Sequence, residues 1–149
     1  MSPELPRDLP QLLSSAERLM TRRLAAALEA EECSVEEWRV LSLLSDGRGH
    51  AMSDVAEYAL MPAPSLTKLV DRLVSAALAY RRRDPGDGRR VLLYLSARGR
   101  TRHRAVAALA QQVEAQMLDG LAGARELADG LSRLEFRLGR ASEQVRVER

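Results

Sequence analysis

Aromatic residues are scarce in this chain: it holds one Trp, one Phe and three Tyr in 149 residues. At 3% aromatic content, an extended β-sandwich is disfavoured, because such sheets draw on aromatic and β-branched side chains. Cysteine is scarcer still. Cys33 is the single one, so no intramolecular disulfide forms and no cysteine-based zinc site can be assembled. Two histidines, His50 and His103, are too few for a metal site without carboxylate partners, and both are expected at the surface. No apolar run reaches the roughly 18 residues of a membrane span. The segment Met1–Pro10 carries Glu4 and Asp8 and lacks the basic start and apolar centre of a secretory leader. A cytoplasmic protein with no membrane contact is the expectation. No nucleophile–base pair, metal cluster or phosphate-binding glycine loop stands out, so neither enzymatic activity nor a cofactor is expected.

What is present favours helix. Ala, Leu, Glu and Arg are abundant, and all are good helix formers. Hydrophobic residues make up 46% and charged residues 30%, as in an ordinary globular domain. The net charge of +2 hides its distribution. Residues 80–104 hold 9 basic and 2 acidic side chains, a local excess of +7, whereas residues 1–50 carry −3. A block of this kind is an electrostatic footprint for a polyanion. A solvated surface is the plainer alternative, and the position of the block in the fold decides between them.

Periodicity orders the chain. Asp8 can cap a helix that tolerates Pro10 in its first turn. Leu5, Leu9, Leu12, Ala16, Leu19, Leu24 and Leu28 form its apolar stripe, to about Ala30. Ser34-Val-Glu-Glu37 reads as a capping box, opening a helix with Trp38, Leu41 and Leu44 on one face. Asp46-Gly47 ends it, and Gly49 keeps the connection flexible. Ser53 is the expected cap of a short helix over Asp54–Leu60, with Val55, Ala56 and Ala59 inward. Met61-Pro62-Ala63-Pro64 redirects the chain, and Leu66, Leu69, Val70 and Leu73 then recur at helical spacing. The period changes after Ala76. Ala79–Arg83 and Arg89–Leu95 read as two strands around Asp84-Pro-Gly-Asp-Gly88, strong turn chemistry. Ser96 caps a further helix carrying Val106, Leu109, Val113, Leu118 and Leu121. Gly120 and Gly123 interrupt it, and a last helix shows Leu127, Leu131, Leu134 and Leu138.

The fold class expected from this order is mainly α with a small β-hairpin wing: a winged helix-turn-helix plus a helical dimerisation region. The helix over about Ala63–Ala76 has the right diameter for a DNA major groove. Its early positions Ala63, Pro64, Ser65, Thr67 and Lys68 are candidates for DNA contact. The small residues allow close approach, Ser65 and Thr67 can bond phosphates or base edges, and Lys68 can do either. The hairpin tip carries Arg89 and Arg90 beside Asp87, narrow enough for a minor groove, where arginine meets a strong negative potential. Arg72 could touch a phosphate or pair with Asp71. Arg81, Arg82 and Arg83 alternate across a strand, so only some can face DNA, and Arg82 is included among the contacts. Arg98, Arg100, Arg102 and Arg104 open a helix, where positive charge opposes the dipole, consistent with either a partner anion or solvent.

Trp38-Arg-Val-Leu-Ser-Leu-Leu, Ser-Asp-Val-Ala-Glu-Tyr-Ala, Ser-Leu-Thr-Lys-Leu-Val-Asp-Arg-Leu73, Arg82-Arg-Asp-Pro-Gly-Asp-Gly-Arg-Arg90 and Leu93-Tyr-Leu-Ser-Ala-Arg-Gly99 together resemble MarR-type regulators. The resemblance is dense over Ser34–Arg100 and architectural at the two ends. It implies a homodimer whose terminal helices intertwine, with double-stranded DNA as partner. It also implies that Arg89 reaches the minor groove, oriented by Asp87. Boundaries on this basis are 1–32 for an N-terminal dimerisation helix, 33–100 for the DNA-binding domain and 101–149 for C-terminal dimerisation helices. Pro62, Leu60 and Gly88 depart from the family pattern, where Ser, Gly and Arg are usual. Trp38 is expected to pack in the core between the winged domain and the dimer helices; the family resemblance places that region beside an effector pocket, so a small aromatic or phenolic effector is a candidate ligand there. The function expected is a ligand-responsive repressor on a pseudo-palindromic operator. The alternatives are a protein-interaction module or a redox-switched repressor using Cys33. Four neighbouring glutamates would raise the Cys33 pKa, which argues for an inert thiol.

Overall fold

A computed structural model describes residues 8–147, and the side chains of residues 8–139. Leu5, placed at the head of the first stripe, lies outside the described residues, as do the outer ends of the 1–32 and 101–149 segments. The elements run α1 (Leu9–Leu28), a one-turn 3-10 helix (Glu29–Glu31), α2 (Val35–Leu44), β1 (His50–Ala51), α3 (Met52–Ala59), α4 (Ala63–Ser75), β2 (Ala79–Arg83), β3 (Val91–Leu95), α5 (Ala97–Leu118) and α6 (Ala124–Val147). This is the mainly helical winged helix-turn-helix expected, with one strand more than the hairpin. The chain divides into two compact units, the first ending at Glu114 and the second beginning at Ala115.

Caps account for most of the helix starts. Asp8 accepts from the Gln11 N–H at 2.9 Å, Ser34 Oγ accepts from Glu37 N–H at 3.0 Å, and Ser96 Oγ accepts from Gly99 N–H at 2.9 Å. Each satisfies a backbone donor that the helix cannot. The capping box at Ser34 is only half made. Glu37 turns instead toward Arg102, at 3.7 Å. Ser53 is not the cap of α3. That helix starts earlier, at Met52, with Ala51 at the cap position and no side-chain bond, because His50 and Ala51 pair with Leu93 and Leu92 of β3. Strand pairing sets the start of the helix here, and two residues carry no period for sequence reading to detect. Gly49 also has another role than flexibility. A Cβ at this position would run into the Tyr94 ring, so only glycine lets β1 lie beside it.

Three helical segments close with the same motif. Glu32, Leu60 and Ala77 all have left-handed backbone, at φ of 49°, 56° and 57°. Each donates its N–H back three residues while the next N–H reaches the turn before, for example Leu60 to Glu57 and Met61 to Ala56. That is the Schellman arrangement, usually built with glycine.

The sheet is antiparallel in the order β1-β3-β2. Tyr80 pairs across it with Tyr94 and Arg81 with Leu93. The main core joins Val40, Leu41 and Leu44 of α2, Val55 and Ala59 of α3, the four predicted apolar residues of α4, and Leu93 and Leu95 of β3. A second cluster holds Leu28, Cys33, Val35 and Val106, with Trp38 against it. The last turns of α1 therefore pack within the first unit. Its earlier Leu9, Leu12 and Leu19 stay exposed. In the second unit Gly120 and Gly123, both at positive φ, make the turn before α6, as the sequence suggested.

Candidate nucleic-acid interface

The turn Leu60–Pro62 directs α4 away from α3. Pro62 sits at the cap and Pro64 in the first turn, where a missing N–H costs no helical bond. Leu66, Leu69, Val70 and Leu73 anchor one face in the core. The opposite face is fully outward: Ala63, Pro64, Ser65, Thr67, Lys68 and Arg72 are all exposed. Ser65, Lys68 and Arg72 follow one another at three and four residues, so they share an edge. That edge borders a groove of about 750 Å³ whose other side is Ser34, Leu60, Met61 and Pro62. Sequence reasoning missed this second wall, because nothing in the periodicity places the start of α2 beside α4. Thr67 is partly committed already: its hydroxyl donates to the Ala63 carbonyl at 3.0 Å, leaving the oxygen to accept.

The wing loop between β2 and β3 is held by its own aspartates. Asp84 Oδ1 accepts from Gly86 N–H at 2.9 Å, and Asp87 Oδ1 accepts from Arg89 N–H at 3.1 Å. The Arg83 guanidinium donates to the Gly88 carbonyl at 3.2 Å. Asp87 thus orients Arg89 through its backbone, and the Arg89 side chain projects freely. Among the described residues, Lys68, Arg72, Arg82 and Arg89 make no side-chain hydrogen bond or ion pair within the chain.

Other arginines are occupied. Arg81 lies 2.6 Å from Asp71, joining β2 to α4, so the partner of Asp71 is Arg81 and Arg72 is left unpaired. Arg90, expected as a free contact at the wing, lies 3.7 Å from Asp54 of α3. Both partners are half exposed, a geometry of little energetic consequence, so Arg90 is held near the wing base without being buried. Arg102 bonds the Glu31 carbonyl and faces the Glu31 and Glu37 carboxylates. Of the run that opens α5, this member is structural. Arg39, unnoticed in the sequence, spans 3.9 Å to Glu17 of α1 and donates to the last carbonyl of α3, on Ala59.

Trp38 stacks on His103 of α5, with ring centroids 5.3 Å apart and planes 8° from parallel. His103 is thus half-buried rather than a surface residue; burial first, and then the Arg104 charge, hold its pKa below the usual value. His50 is likewise half-buried, with Nε2 at 3.0 Å from Asp46. Cys33 corrects the redox alternative. It is 5% exposed, and burial, reinforced by Glu37, pushes its thiol up to about 12. A thiolate, the reactive species, is scarce at neutral pH. Among the described residues no group of three or more His, Cys, Asp or Glu could hold a metal ion, and no helix is long and apolar enough to cross a membrane.

Residues 34–90 match the MarR family model. Over 88 residues the chain is 33% identical to the HTH-type transcriptional regulator FarR of Neisseria gonorrhoeae, covering 59% of this chain and 60% of FarR. A MarR-family transcriptional regulator from Rhodococcus sp. RHA1 superposes with a TM-score of 0.81 at 23% identity, over 91% of this chain and 98% of that one. NadR in complex with 4-hydroxyphenylacetate superposes with a TM-score of 0.76 at 24% identity, over 93% of this chain and 97% of NadR. At these identities the two structures establish the fold.

Proposed function

We propose, for a chain whose residues 34–90 match the MarR family model, the role of a sequence-specific transcriptional regulator that binds double-stranded DNA as a homodimer. The observation that carries this reading is the set of unpaired cations on one exposed helix and the wing beside it. Lys68 and Arg72 stand on the outer face of α4, and Arg89 stands at the end of a loop braced by hydrogen bonds to its own aspartates. The backbone scaffold of these cations is ordered beforehand, so binding has only the side chains themselves to order. Phosphate contacts by Arg82, Arg72 and the wing dock the protein, with Arg90 available once it leaves Asp54. Ala63, Pro64, Ser65, Thr67 and Lys68 meet base edges, and Arg89 enters the minor groove beside Asp87. FarR, named as an HTH-type transcriptional regulator, supports the same reading.

The dimer is formed by the apolar residues of α1 and α6, in the segments 1–32 and 101–149, flanking a DNA-binding domain at 33–100. A two-fold assembly covers such faces on both copies at once and sets two recognition helices about one DNA turn apart. Repression relieved by a small phenolic acid near Trp38 completes the proposal, following NadR with its 4-hydroxyphenylacetate. Such a ligand acts only by binding one spacing of the recognition helices better than the other. Fluorescence anisotropy against the DNA upstream of the protein's own gene, and against a scrambled duplex, tests the central claim. Selective binding that falls steeply with salt is expected. If a selection from random duplexes also yields no preferred sequence, the protein-interaction reading replaces this one.

A further inference from the structure

A second cleft, of about 650 Å³, lies at the C-terminal end of α4, where Ala76 lines it. Its walls are Glu32 and Glu37 at the junction of α1 and α2, Leu78 just after α4, and Arg98 and Arg102 on α5. Arg102 is committed to Glu31 and Glu37. With that network set aside, Glu32 and Arg98 remain. They carry opposite charge, come from different segments, and are exposed. Among the described residues neither side chain has a hydrogen bond or ion pair. Two of the walls are fixed in advance, because Glu32 and Ala77 occupy closed Schellman helix ends with bonds of 3.0 and 2.9 Å. Leu78 adds an apolar surface between the charges.

We propose that this cleft binds a small zwitterion bearing a primary ammonium and a carboxylate, a free amino acid or short peptide. The carboxylate pairs with the planar guanidinium of Arg98, which suits two-point contact. The ammonium faces Glu32. A simple anion in the cleft meets the Glu32 charge unfavourably, and a simple cation meets Arg98. Only a dipolar ligand satisfies both walls, so the cleft discriminates by repulsion as well as attraction. None of the residues lining the cleft is among those assigned to DNA contact, although Arg72, in the last turn of α4, lies only about 6 Å of helical rise before Ala76. An occupant therefore bridges the α1–α2 junction, the end of α4 and α5 beside the DNA-facing edge without taking any of its contact residues. Its consequence for DNA affinity rests on the regulator reading above, whereas its binding does not.

Trp38 is the only tryptophan; it follows Glu37 directly and stacks on His103, the neighbour of Arg102. Its fluorescence reports on the cleft. The full chain is titrated with a panel of free amino acids and glycylglycine, by fluorescence and by calorimetry, with acetate and methylammonium as single-charge controls. Saturable binding of at least one zwitterion, absent for both controls, is expected. Glu32→Gln and Arg98→Gln should each weaken it by roughly tenfold, as for loss of one charged hydrogen-bond partner, with unchanged circular dichroism and melting temperature. Heat and fluorescence both silent for every zwitterion, equal binding of the controls, or unchanged binding in both variants would overturn the proposal. The same samples are mixed with duplex DNA. Zwitterion binding without DNA binding sinks the regulator reading alone, and DNA binding without zwitterion binding sinks the cleft alone.

Discussion

Helices α4 and α6 carry the same kind of leucine stripe and treat it in opposite ways. On α4 the stripe is sealed: Leu69 is 2% exposed, and Leu66, Val70 and Leu73 are as deeply buried. On α6 Leu127 and Leu131 remain 48% and 39% exposed. Periodicity alone cannot separate these cases, since each describes an apolar face and neither says what covers it. The difference divides labour. The sealed stripe fixes α4 so that its outer face is presented rigidly, and the open stripe is available for assembly. Exposed apolar surface on a helix of this length signals interaction.

The largest effect should come from breaking the open side. Leu131→Glu combined with Leu134→Glu would place four charges in the proposed two-fold interface. Monomers are expected by light scattering. DNA affinity should fall by roughly a thousandfold, the lower part of the gap between specific and non-specific binding. A dimeric double variant would take α6 out of the assembly. Breaking the sealed side should act on folding instead. Leu69→Ala removes a buried side chain and leaves a cavity, at a cost of about 2–5 kcal/mol in urea denaturation, without changing the oligomeric state of the folded fraction. A loss of assembly ahead of unfolding would show that the two stripes are coupled.

A smaller effect tests what the sealed stripe is for. Arg89→Ala should weaken operator binding by about 1–3 kcal/mol, while stability stays unchanged because the Asp87 bond is to the Arg89 backbone. Full affinity in this variant would confine recognition to α4. The comparison with Arg81 is instructive. Sequence reading grouped Arg81, Arg82 and Arg83 as one cluster divided only by strand alternation. The structure sends Arg81 to Asp71 and Arg83 to the Gly88 carbonyl, leaving Arg82 outward. Alternation predicted that the three would part, but the partners come from a helix ten residues back and a loop five residues on.

Most of the fold was legible for the same reason that such partners were not. Ser34, Ser96 and Asp8 cap helices through neighbours three residues away, and local spacing reveals local bonds. The core residues of α4 were legible because a helix has a fixed period. What was hidden depended on pairing over distance: the strand at His50–Ala51, the Trp38–His103 stack, the Arg90–Asp54 approach and the groove wall at Ser34. The DNA-facing candidates were visible through charge and residue type, yet which of their cations stay unpaired could be seen only when the competing carboxylates of the described residues were placed.

The smallest effect concerns the turn between α3 and α4. Leu60 is left-handed at φ 56° and 72% exposed, in a position where glycine is preferred. Burial offsets little of the strain, because most of the side chain stays in water. Leu60→Gly should therefore raise stability by about 0.5–1 kcal/mol, the relief of a left-handed non-glycine residue less the added backbone entropy of glycine in the unfolded chain. Thermal melting measures this directly. Leu60 also lines the groove beside Lys68 and Arg72, which gives the same substitution a second outcome. If stability rises and operator affinity is unchanged, the leucine is merely a tolerated helix end. If stability rises while affinity falls, the strain is retained for the apolar surface it presents at the DNA-facing edge of α4.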